Sequence, residues 1–360
     1  MSAIAIAVTA LGAAADDGAP GLVNDNIIDD GTIGYVLTNR YWAVYQTPDG
    51  NTECPDGYNT GPREQFKLLY PEDGTPRTEL DTRLARESQV WFPDMSEEPY
   101  PFHEPQGDIA IGIDLDGRAD ADDFTSPEGD AGIDNQLYRV LGCVAGYRGP
   151  DGAFYHAENI YMQQSGFSRF VFELTGVDDL VNDDDVTLTT YRGLDGLMSD
   201  ASGKSFIAGG TQRVDGRWGR RYVQRFKGRI EDGVLTTEAA DLEIPWSVTF
   251  NTNTIQPVMD LRFRLTLTPE GAEGLMGGYV DVNNWIRRLA RAHATHHQSY
   301  GQVSLPSLFR ALNRHADAYP DPVTGTNTAI SVAMEVTFSQ VYVLHPHQLR
   351  GDSPAAAAAE

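Results

Sequence analysis

Asp114, Asp116, Asp120 and Asp123 follow a D-x-D-G-x-x-D-x-x-D spacing, with Gly117 placed to turn the chain sharply between them. Calcium takes six to eight hard oxygens from loops of this kind, through carboxylates, backbone carbonyls and water. Without a cation, carboxylates held so close would repel one another. The spacing resembles the calcium loops of thrombospondin type 3 repeats and dockerin modules over about ten residues. It departs from the EF-hand, because Arg118 and Thr125 stand where that loop needs oxygen ligands. A second acidic turn, with Asp130 and Asp134 and opened by Glu128, offers further carboxylates for the same ion. The plain alternative is a solvated acidic bend, since Asp and Gly are ordinary turn residues.

A second set of ligand-type residues is His293, His296 and His297. On a helix, positions i, i+3 and i+4 share a face, so two of these imidazoles could grip a zinc, copper or iron ion. Ala294 stands where a zincin would carry its catalytic Glu, so that pattern fails. The plain reading is a histidine-rich helix C-terminus, favoured by the helix dipole. His103–Glu104 and His156–Glu158 are neighbouring pairs in which a carboxylate would orient an imidazole for acid–base work. Such neighbours are more often structural. Arg213, Arg217, Arg220 and Arg221, with Trp218 and Tyr222, form the one basic-aromatic cluster. Pairing with nearby acids is the expected use of those arginines. Trp218, Tyr222 or Trp246 would be the stacking rings of a carbohydrate-binding protein. No P-loop, dinucleotide fingerprint or G-x-S-x-G elbow is present.

The charge excludes some partners. A net charge of −25 cannot neutralise phosphates, which argues against nucleic acid and against an anionic membrane surface. Only three lysines occur, Lys67, Lys204 and Lys227, a usage common in proteins of salty habitats. No apolar run reaches the roughly 18–20 residues of a membrane span. Residues 1–15 read as a signal-peptide remnant, with Ala13-Ala14-Ala15 as an A-x-A-like cleavage site and no charged n-region. The expected compartment is periplasmic or extracellular. There, Cys54 and Cys143 are expected to form a disulfide; two inert buried thiols are the alternative.

The elements that must position these groups are mainly β. Residues 34–45 read as a first strand, rich in aromatic and β-branched types. Short helices are expected after Pro62 and over 75–90, then a proline-rich crossing over 93–107. Residues 109–113 read as a strand entering the acidic loop, and 132–142 as a helix delivering Cys143. From 154 the chain turns strongly β, with strands over 169–174, 186–191, 221–230, 234–237, 243–250, 258–268, 275–282 and 330–344. Two helices, 282–295 and 304–318, interrupt the last of them. The expected fold is mainly β with peripheral helices (α+β), its body a β-sandwich or jelly-roll. The organisation expected is an N-terminal helical and loop segment, 16–150, followed by a β-rich part, 151–347, and a tail, 348–360. The two parts are compatible with one continuous domain.

Several segments resemble a family of uncharacterised exported bacterial proteins, over most of the mature chain. They are residues 53–66, Asp123-Phe-Thr-Ser-Pro-Glu-Gly with Gly132-Ile-Asp-Asn-Gln-Leu-Tyr-Arg, Tyr191-Arg-Gly-Leu-Asp-Gly-Leu, and His296-His297-Gln-Ser-Tyr-Gly-Gln. The resemblance implies export and a single fold, and it carries over no catalytic residue. Both cysteines lie within or beside these segments, which fits a disulfide. The reading that follows is an exported, calcium-stabilised β-rich binding or structural protein, with a small molecule or glycan as the expected ligand class. The rivals are a transition-metal enzyme or redox protein using the histidine cluster, and a carbohydrate-binding protein.

Overall fold

The computed structural model describes residues 31–59, 84–86, 89–91, 102–149, 152–203, 205–249, 252–292 and 305–346. The expected leader, the tail, the helix after Pro62 and the histidines 293, 296 and 297 lie outside them.

Fifteen strands and four α-helices occur among the described residues. The strands are β1 (Thr32–Trp42), β2 (Leu84–Arg86), β3 (Gln89–Trp91), β4 (Phe124–Thr125), β5 (Ala131–Ile133), β6 (Phe170–Thr175), β7 (Asp183–Arg192), β8 (Gly210–Arg213), β9 (Arg225–Glu231), β10 (Val234–Thr237), β11 (Ala240–Thr249), β12 (Thr252–Leu267), β13 (Gly271–Asp281), β14 (Ala318–Pro320) and β15 (Asn327–Leu344). The helices are α1 (Leu137–Leu141), α2 (Ala153–Gln164), α3 (Val282–Ala292) and α4 (Leu305–Arg314).

The mainly β body with peripheral helices is as expected. Its sheet is continuous and closes on itself, where two facing sheets were expected. Eight strands pair in the order β1-β6-β7-β9-β10-β12-β13-β15, and β15 pairs back onto β1, all antiparallel. Closure removes the sheet edges that a sandwich would leave. Eight strands leave an interior just wide enough for side chains to fill. The alternation of each strand sends one face inward, and that face is aromatic. Phe172 touches Tyr35, Phe338 and Phe263 at ring separations of 5.1, 4.9 and 6.2 Å, and Phe226 meets Phe263 edge-on at 5.1 Å. Tyr35 satisfies its hydroxyl by donating to the Thr268 carbonyl at 2.9 Å.

The long strands β12 and β15 carry the sheet on past the neighbours they pair with, and helices cover the extension. Asp281 caps α3 by accepting from the Asn284 amide at 2.7 Å, and Trp285, Ile286 and Arg288 form the buried face. On α4, Leu308, Ala311 and Leu312 recur at i, i+3 and i+4 and are fully buried. β1 is a stave of the barrel, so the segment before residue 150 and the β-rich part share one core. Cys54 and Cys143 are joined in a disulfide that ties the loop after β1 to the end of α1.

Four expectations on secondary structure need correction. The helix over 75–90 fails at its end, since β2 and β3 pair there as antiparallel strands. Val90 and Trp91 are strand-favouring residues, and pairing overrides the helical spacing. Residues 109–113 make only isolated bridges, Ile109 to Thr125 and Ile113 to Asp134. The helix over 132–142 begins only at Leu137, because β5 takes Ala131–Ile133. The chain after 154 does not turn directly to strands; it first forms α2. Only Asn159 and Met162 of that helix are fully buried, so it lacks the apolar stripe that announces a helix in sequence.

Candidate metal centre

The Asp-Leu-Asp alternation explains how the acidic loop is seated. Leu115 turns inward and packs with Tyr279 and Ala329 on the outside of the barrel, which leaves Asp114 and Asp116 on the other side. Gly277 of β13 admits Ile113 and Leu115, because a Cβ there would meet both at 3.3–3.4 Å. Arg262 of β12 donates to the Leu115 carbonyl at 3.1 Å and pins the loop from below. Gly117 has φ +77°, the left-handed turn its position demands.

The second acidic turn supplies the third carboxylate. Asp134 follows β5, and its amide donates to the Ile113 carbonyl at 3.1 Å. Oxygens of Asp114, Asp116 and Asp134 all lie within 4.8 Å of one another. Asp134 is buried, and it accepts the Leu115 amide at 2.6 Å. Asp114 accepts from the Gly117 amide at 2.7 Å, and Asp116 from the Arg118 amide at 2.9 Å. Arg118, the residue that breaks the EF-hand pattern, folds its guanidinium back onto Asp116.

The other expected ligands are placed differently. Asp123 accepts the Asp120 amide and lies near enough for the charges of Asp114 and Asp116 to raise its carboxyl, after burial has done so first. Asp120 points to solvent beside Arg118, 3.7 Å away. Asp130 belongs to the tight turn of Ser126, whose hydroxyl accepts the Asp130 amide at 3.1 Å. One residue that sequence spacing did not suggest is coupled electrostatically to the group. Asp317, just after α4, accepts the Ser331 amide at 2.7 Å and feels the charge of Asp123. No local signal marks Asp317, because only the pairing of β14 with β15 brings it here.

These groups bear the electrostatic mark of crowded acids. Burial pushes the Asp134 carboxyl up to about 7, and Asp123, Asp116 and Asp317 add to the rise against the Leu115 amide. Burial pushes Asp317 up to about 6 despite its hydrogen bonds to Ser331. The phenol of Tyr279 is raised by burial and by the same acids. A hard divalent cation among these oxygens would relieve that repulsion.

Other expected constellations come apart. Glu104 pairs with Arg314 and with His315 Nε2 at 2.9 Å, while His103 uses its backbone amide to reach Asn59. Burial raises the Glu104 carboxyl, but His315 and Arg314 outweigh it and leave it below the ordinary range. Arg213 pairs with Asp195, Arg217 with Asp215 and Arg221 with Glu243, so those arginines are used internally as expected. Tyr222 and Trp246 are buried and offer no open face to a sugar; Trp218 is 40% exposed.

Fold and site together define a closed antiparallel barrel, packed with aromatic residues, that carries an acidic centre on its outer wall. No family model matches the chain, and no curated protein or solved structure matches it.

Proposed function

We propose that this chain is an exported binding or structural protein whose acidic loop is fixed by calcium. The observation that carries the reading is the convergence of Asp114, Asp116 and Asp134, one of them buried, with no ion pair to Asp134 among the described residues. Oxygen-only ligands on a glycine turn suit calcium over zinc or copper. The charges of Asp123 and Asp317 act on Asp134 and add to the negative potential that would attract the ion. The disulfide supports an oxidising compartment, in keeping with the resemblance to exported bacterial proteins. No helix among the described residues is long and apolar enough to cross a membrane.

Calcium bound only to the folded form stabilises it by mass action, about 2.7 kcal/mol at a hundredfold excess over Kd. Thermal melts in chelator and in millimolar calcium test the reading. The expected outcome is a rise of several degrees with calcium; identical melting curves would sink it.

A further inference from the structure

At the helix-covered end of the barrel, far in sequence from the acidic loop, two arginines are buried side by side. Arg40 lies on β1, and its side chain is 1% exposed; Arg288 on α3 is 7% exposed. A β-bulge puts Arg40 there. β15 advances one residue, from Phe338 to Thr337, while β1 advances two, from Leu37 to Asn39, so Thr38 is the extra residue. Without it, Arg40 would fall on the opposite face from Leu37. With it, Arg40 stands opposite Val336, on the inward side. Asn159 of α2 then grips the Arg40 backbone, accepting from its amide and donating to its carbonyl, both at 2.9 Å.

The backbone is clamped, but the charge is not. The Arg40 guanidinium lies 3.4 Å from the ring centre of Trp246, and that of Arg288 lies 5.3 Å from the same ring. Stacking satisfies the face of a guanidinium and leaves its edge donors free. Nε and both terminal nitrogens of Arg40 are buried with no hydrogen-bond partner, and so is Nε of Arg288. Trp285 Nε1 and Gln256 Oε1, on the elements bordering this cluster, are also buried and unpartnered. Among the described residues, Glu158 of α2 is the carboxylate whose charge acts on both arginines, one anion against two cations. Burial lowers Arg40 to about 9 and Arg288 to about 10, Glu158 notwithstanding. A folded protein rarely leaves charged donors unsatisfied in its interior, and each such group calls for an explanation.

We propose that Arg40 and Arg288, set against Trp246, form a buried binding site for the oxyanion of a small molecule, a carboxylate or a phosphate. The guanidinium edge of Arg40 presents parallel donors to two oxygens of such a group. The excess positive charge supplies the attraction.

The disulfide-bonded full chain, in calcium-free buffer with chelator, is titrated separately with inorganic phosphate, succinate and benzoate, with ionic strength held by sodium chloride. Tryptophan fluorescence and melting temperature are read together. The expected result is a saturable fluorescence change and a rise in melting temperature with at least one anion. Arg40→Met and Arg288→Gln should each weaken that binding about tenfold or more, the loss of a charge-assisted bond. A response to phosphate alone assigns a phosphate ligand, and a response to the acids alone assigns a carboxylate. If no anion moves either signal beyond the chloride control, or if both variants bind as the native chain does, the site is refuted. Should Arg40→Met fail to fold, Arg288→Gln decides.

Discussion

Asp134 is the side chain on which the acidic centre turns. Its carboxyl sits at about 7 and that of Asp317 at about 6, both above the ordinary value of 3.8. An acid whose folded pKa is raised adds stability that is complete below its unfolded pKa and is lost as pH rises through its folded pKa. In chelator, therefore, the protein should melt higher at pH 5 than at pH 8, the loss running from about pH 4 to about pH 7 and ending once Asp134 is ionised. Calcium competes with those protons, so saturating calcium should abolish or reverse the slope. Melting curves across this pH range, with and without calcium, check both halves. Asp134→Asn keeps the Leu115 hydrogen bond and removes the buried charge. It should melt above the native chain in chelator at pH 8 and show no calcium response. A variant as calcium-sensitive as the native protein would place the ion elsewhere.

Among the elements, β5 sets the shape of the loop. Gly132 has φ +80°, and a Cβ there would meet the Arg118 carbonyl oxygen at 2.3 Å. Gly132→Ala must therefore push the first acidic turn away from the second, the two that supply Asp114, Asp116 and Asp134. Backbone strain of this kind costs about 1–3 kcal/mol. The melting temperature should fall, and the calcium-dependent part of it should shrink more than the rest. The same logic of close approach explains why α1 starts late. Gln136 donates its amide to Ser331 Oγ at 2.8 Å, so the helix is entered from a point fixed on β15.

For the molecule as a whole, the hydrophobic seat of Leu115 and the Arg262 hydrogen bond hold the acidic loop on the barrel, and the disulfide, which spans 89 residues, ties the loop after β1 to the end of α1. Removing a long-loop disulfide typically costs about 2–5 kcal/mol. Cys54→Ser with Cys143→Ser should therefore lower the melting temperature by several degrees. Because Arg148 also pairs with the buried Glu53 beside Cys54, the loop should stay docked at moderate temperature. Melts under oxidising and reducing conditions measure the tie directly. The acidic centre is anchored on β13 and β15 separately from the disulfide, so the calcium increment should persist in the double variant.

Local chemistry alone determined a good part of this protein. Strict alternation in β12, turn residues between strands and apolar spacing on α3 and α4 announced the β-rich body and its covering helices, because those signals depend on neighbours one to four residues away. The Asp-Leu-Asp-Gly run foretold a sharp acidic turn for the same reason. What only the tertiary structure decided involves partners distant in sequence. Closure of the sheet rests on β1 meeting β15. The third carboxylate is Asp134, not Asp120, because Ile113 bridges to it across the loop. Asp317 arrives from the far end of the chain, and Arg40 points inward only because one extra residue bulges from its strand. Pairing and register are settled by how whole strands bury their faces together, and no short stretch of sequence contains that information.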